Sequence, residues 1–150
     1  MKKNIIILLL IATLTSCGYE PIYLKKNSFD LSIKEYELLG NKAINRKIVS
    51  LLNLKKSNKK NSWYTLKLDS RKLIESVAKD KAGATTIFRL TLSIELILSE
   101  DDNLVKKKNF ITSFTYNNTK NKFDLLQYQK SIEKNLIDKL SEEIIIFLKT

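Results

Sequence analysis

The chain has no histidine, one cysteine, one proline, three glycines and three arginines among its 150 residues. Each shortage removes a class of chemistry. Without histidine there is no Ser-His-Asp or Cys-His centre, and a zinc site of the usual His and Cys ligands is excluded. A lone cysteine cannot form an internal disulfide. Three glycines leave nothing that resembles a Gly-rich phosphate loop. A hydrolase built on a pair of carboxylates stays formally open, but the acids are scattered over expected turns and helix faces. The reading is therefore no enzyme, no catalytic residue, no metal and no cofactor other than a covalent lipid.

The most informative segment is the start. Met1-Lys2-Lys3 is a short positive region, and Ile5 to Ala12 is an unbroken apolar run. Leu14-Thr15-Ser16-Cys17 follows. Charge, short apolar run and small residues in that order make a secretory signal peptide. The run is too short for a permanent span, which takes ~20 apolar residues. Leu-Thr-Ser-Cys resembles the lipobox of bacterial lipoproteins, in which the cysteine is diacylated and becomes the mature N-terminus. Residues 1–16 are thus expected to be signal, Cys17 the lipidation site, and 17–29 a lipidated tether containing Pro21. Residues 30–150 then form a single domain. Two or more acyl chains give stable anchoring. Gly18 stands where Asp would favour inner-membrane retention in enteric lipoproteins, which resembles an outer-membrane-sorted protein.

Lysine dominates the charge. The signal holds two lysines and no acid, so the mature chain keeps 25 of 27 basic residues against 16 acidic ones, about +9. Such a surface suits an anionic partner. Lys-, Asn- and Ile-rich composition also resembles proteins from AT-rich genomes, where a solvated basic surface needs no partner. An exported chain meets little nucleic acid, so that partner is set aside.

Apolar periodicity gives the order β-α-β-β-β-α. Leu31, Ile33 and Tyr36 begin a first strand, broken at Gly40-Asn41. Ile44, Ile48, Leu51 and Leu52 form one helical stripe. Lys55 to Asn61 reads as a solvated loop. Trp63 to Ala78 starts with Tyr64, Leu66 and Leu68 on one face, and its phase slip at Leu73-Ile74 suggests a bulge. After the turn Lys79–Gly83, Phe88 to Leu98 alternates cleanly. Glu100 to Asn103 is a second turn; it could hold a cation, but a solvated hairpin suits it better. Phe110 to Tyr116 is the last strand. A helix follows over 122–148, with Leu125, Tyr128, Ile132, Leu136, Leu140, Ile144 and Phe147 inward and Ile145, Ile146 and Leu148 widening the stripe. Phe88, Phe110, Phe114 and Tyr128 are expected in the core. The fold class is α+β: a two-layer sandwich whose mainly antiparallel four-stranded sheet is covered on one face by two helices.

Cys17-Gly18-Tyr19-Glu20-Pro21-Ile22-Tyr23 resembles the mature opening of alphaproteobacterial LPS-assembly lipoproteins, the LptE family. Ser113-Phe114-Thr115-Tyr116-Asn117 before the closing helix, and the element order, resemble that family too. The resemblance implies an outer-membrane lipoprotein, lipid-anchored on the periplasmic face. It would plug the LptD β-barrel, help it assemble and help deliver lipopolysaccharide to the surface. The alternative is a stand-alone envelope lipoprotein binding anionic lipid or cell-wall polymer.

A meander would bring the turn after the second strand and the exit of the fourth to one sheet end. Lys79, Lys81, Lys120 and Lys122 would converge there. Lysine is a sound point-charge partner for lipid A phosphate, so this tip is the candidate lipopolysaccharide-binding site. Turns are also simply where lysines are tolerated.

Overall fold

The structure is a computed structural model that describes residues 33–54, 56 and 63–150. The expected signal, Cys17, the tether and Leu31 lie outside the described residues, as does the 55–61 loop apart from Lys56.

Six elements follow the expected order: β1 Ile33–Gly40, α1 Lys42–Leu51, β2 Tyr64–Lys79, β3 Thr85–Glu100, β4 Asn103–Asn117 and α2 Lys122–Lys149. They form one four-stranded sheet in the order β1-β2-β3-β4. β2, β3 and β4 make an antiparallel meander. β1 runs parallel to β2, so the sheet is mixed. α1 is the reason: it carries the chain back along the sheet, and β2 then starts beside the start of β1.

Local chemistry sets the boundaries. Gly40 has φ +68 and turns the chain off the sheet, a conformation costly to residues with a Cβ. Asn41 caps α1, its Oδ1 accepting from the Ala43 and Ile44 amides at 3.2 Å. Asn121 caps α2 in the same way through Phe123 and Asp124, and Asp124 in the first turn suits the helix dipole. Asp101 and Asp102, at φ 45 and 67, make a two-residue hairpin with the primed turn geometry that matches strand twist. β4 therefore begins at Asn103, seven residues before Phe110.

The core lies between the sheet and the helices. Leu66 and Leu68 of β2 and Leu90, Leu92, Ile94 and Leu96 of β3 are fully buried, with Ile44, Ile48, Leu140 and Ile144 above them. Glu37, Lys67, Glu95 and Lys107 alternate with these residues and pair on the opposite, open face. The strict alternation of β3 reflects its central place, flanked by strands on both sides.

Four expectations need correction. Pairing runs unbroken through Leu73↔Thr91 and Ile74↔Leu90; the irregularity comes later, at Ser76–Ala78. Leu73 and Ile74 lie beyond Ser70, where β1 has ended at Gly40, which leaves both faces of the remaining hairpin partly open. They are 53% and 38% exposed. Phe114 and Tyr128 are exposed, not core: β4 is an edge strand and the N-terminal part of α2 covers it incompletely, though Tyr128 still meets Tyr116 edge-on. In α1 the inward set is Ile44, Asn45, Ile48 and Leu52, while Leu51 is exposed. Asn45 takes an inward place because its Nδ2 donates to the carbonyls of Leu39 and Leu68 at 2.6 and 3.2 Å, which fastens α1 to both parallel strands. In α2, Ile137 is buried and Ile146 is exposed.

Candidate functional site

The tip of the long hairpin is built around Asp80. Its Oδ1 accepts from the amides of Ala82 and Ala84, both at 2.9 Å. Its own amide donates to the Ala84 carbonyl, and the Gly83 amide donates back to the Asp80 carbonyl. Gly83 supplies the positive φ, +83, that this turn requires. One carboxylate oxygen is thus engaged with backbone, while Lys79 and Lys81 project from the turn, exposed.

The exit of β4 is fastened to the same end. The Asn118 amide donates to the Thr86 carbonyl at 2.8 Å, and its Nδ2 donates to the Thr85 carbonyl at 2.7 Å. Thr119 Oγ1 donates to the Asn121 carbonyl at 3.0 Å, which tightens the turn into α2. Lys120 and Lys122 flank the capping Asn121 and are exposed. The topology therefore brings all four lysines to one sheet end. Among the described residues none of the four makes an ion pair. Asp80 and Asp124 are the acids nearest them in sequence, so the end carries a net positive charge. Exposed apolar side chains lie close by in sequence: Val77 behind the turn, and Phe123 and Leu126 at the start of α2.

A second concave feature escapes periodicity. A cavity of about 400 Å³ opens between α1, α2 and β2, lined by Lys47, Lys72, Leu126, Gln129, Lys130 and Glu133. Lys72 occupies a helix-facing strand position, next to where the sheet loses β1, and pairs with Glu133. Sequence could have flagged it only as a lysine on the face of Leu66 and Leu68. Burial raises Tyr36 and Tyr116 above the ordinary phenol value. The hydrogen bond and charge of Lys107 lower Glu95. Among the described residues no group of His, Cys, Asp and Glu is arranged to hold a metal ion, and no helix is long and apolar enough to cross a membrane.

No protein-family model matches the chain, and no curated protein matches its sequence. Solved structures do match its shape. It is similar to the rare lipoprotein B of Shewanella oneidensis, with a TM-score of 0.59 at 12% identity over 77% of this chain and 93% of that one. The fold is shared with bacterial lipoproteins. A minor lipoprotein from Acinetobacter baumannii matches with a TM-score of 0.56 at 16% identity, over 79% and 92% of the two chains. Lipoprotein B from Nitrosomonas europaea matches at 0.54 and 10% identity, over 77% and 81%. At such identities the likeness establishes the architecture, and function rests on this chain's own residues.

Proposed function

We propose that this chain is an outer-membrane lipoprotein, anchored through lipid on Cys17, that plugs and helps assemble an LptD-like β-barrel. In that role it helps deliver lipopolysaccharide to the cell surface and performs no catalysis. The observation that carries the reading is a conjunction. A lipobox cysteine opens the Cys-Gly-Tyr-Glu-Pro-Ile-Tyr heptad, and the domain behind it has a fold found in bacterial lipoproteins.

The geometry supports a plug. β1 begins at Ile33, whose β2 partner is Tyr64. The lysine tip lies at the other end of a 16-residue strand, about 50 Å away at roughly 3.3 Å per residue. A bilayer with its headgroups is about 40–45 Å thick. The sheet is therefore about as long as a barrel is tall, with the cationic tip at one end of it. Exposed ammonium groups there meet the phosphates of lipid A as point charges.

The stand-alone alternative finds its support in the second basic cleft at Lys47, Lys72 and Lys130, which needs no barrel to bind an anion. Depletion in the native host separates the two. The plug reading predicts loss of the folded, heat-resistant form of the barrel and retention of lipopolysaccharide inside the cell. A barrel that folds normally without this chain would sink it.

A further inference from the structure

Among the described residues the sheet has three free edges, and they are not alike. The outer edge of β1 carries Lys34, Glu35 and Glu37 over only eight residues and meets an isolated bridge at Lys56. β2 beyond Ser70 carries Arg71, Lys72, Glu75 and Lys79 and is bent by the irregularity at Ser76–Ala78. Short length, charge and bulges are the devices by which sheets refuse further strands. β4 uses them in its first half only: Lys106, Lys107 and Lys108 follow a register shift near Ser99. From Asn109 to Asn117 it has no charge, no proline and no bulge. Ile111, on the open face, is 64% exposed, and Phe114, on the helix face, is 44% exposed.

We propose that this unguarded edge pairs antiparallel with the same edge of a second copy of the chain, about a two-fold axis at Ile111. The sequence of β4 is compatible with itself in that register. Ile111 faces its own copy and closes the most exposed aliphatic of the strand. Lys106, Lys107 and Lys108 face Tyr116, Thr115 and Phe114 of the second copy, so no lysine opposes a lysine. The Lys108–Phe114 pair would set an ammonium beside an aromatic ring, a favourable contact of the kind Lys108 already makes with Phe110 at 5.0 Å. A self-complementary patch is what a two-fold contact demands. The two sheets would join into one of eight strands. The inference is independent of the barrel reading, because it concerns the free chain.

The test uses the full lipidated chain in mild detergent. Cys17 is the only cysteine, so Ile111→Cys adds a single reporter thiol. Facing residues in a ladder have Cβ atoms about 4.5–5.5 Å apart, and mild oxidation should yield a disulfide-linked dimer. Leu73→Cys, also more than half exposed but on β2, should not link. Separately, Thr115→Lys sets a lysine against Lys107 of the second copy at an exposed position, and should halve the mass measured by light scattering. An unlinked Ile111→Cys, equal linking by Leu73→Cys, or a cross-link from position 111 to a different protein would each overturn the proposal. So would a Thr115→Lys chain that keeps the dimer mass.

Discussion

Replacing Gly40 by alanine tests how the parallel strand is stopped. Gly40 sits at φ +68, and a Cβ there would overlap the Ser70 carbonyl oxygen and crowd Asp69 Oδ1 at 2.6 Å. The left-handed conformation alone costs an alanine about 1–2 kcal/mol. The collision is with backbone, so relief requires β1 and β2 to separate locally. That movement threatens two bonds that fix the junction, from the Asn41 amide to the Ser70 carbonyl at 2.8 Å and from Ser70 Oγ to the Asn41 carbonyl at 3.0 Å. Each contributes about 0.5–1.5 kcal/mol, giving about 2–5 kcal/mol in total with the conformational cost. For a domain of this size the melting temperature should fall by about 10 °C. Gly83 is the internal control. It too has a positive φ, +83, but a Cβ there meets nothing within 4 Å. Gly83→Ala should cost about 1 kcal/mol, near 3 °C. Thermal melts followed by circular dichroism decide the matter. Equal shifts for the two alanines would refute the argument that the Ser70 carbonyl makes Gly40 obligatory.

Other outcomes follow from the same reasoning. Leu96→Ala removes a fully buried side chain from the central strand and should cost about 2–5 kcal/mol in a denaturant titration, against a negligible change for exposed Leu104→Ala. Lys107→Ala should return the Glu95 carboxyl toward its ordinary value, because Lys107 is the first cause of its lowering. An NMR titration of Glu95 reads this. The sign is that of a carboxylate lowered on folding: its stabilising contribution is complete above the unfolded value and is lost as pH falls through the folded one. Replacing Lys79, Lys81, Lys120 and Lys122 together with serine should weaken salt-sensitive binding to lipopolysaccharide while leaving the melting temperature within a few degrees. Unchanged binding would remove the tip from the account.

Much of this architecture was readable because its signals are local. The alternation of β3, the break at Gly40-Asn41 and the turn at Glu100–Asn103 each work within a few residues, and all are where the pattern puts them. The joining of the two lysine-bearing segments also followed from the meander alone. What escaped depends on neighbours distant in sequence. Leu73 and Ile74 look like a phase slip until one sees that β1 ends at Gly40, opposite Ser70. Phe114 and Tyr128 carry core-like side chains, but only the width of the helix layer over β4 decides their exposure. Asn45 is hidden by its polarity; its inward place is fixed by the carbonyls of Leu39 and Leu68, one of them 23 residues away. The cleft around Lys72 needs three elements to exist at all.

The central claim concerns a barrel partner. The direct measurement is co-expression of the tagged full-length chain with the LptD-like barrel of the same genome, followed by purification from detergent. The account predicts a stoichiometric complex that survives stringent washing. Recovery of free lipoprotein alongside a well-folded barrel would contradict it.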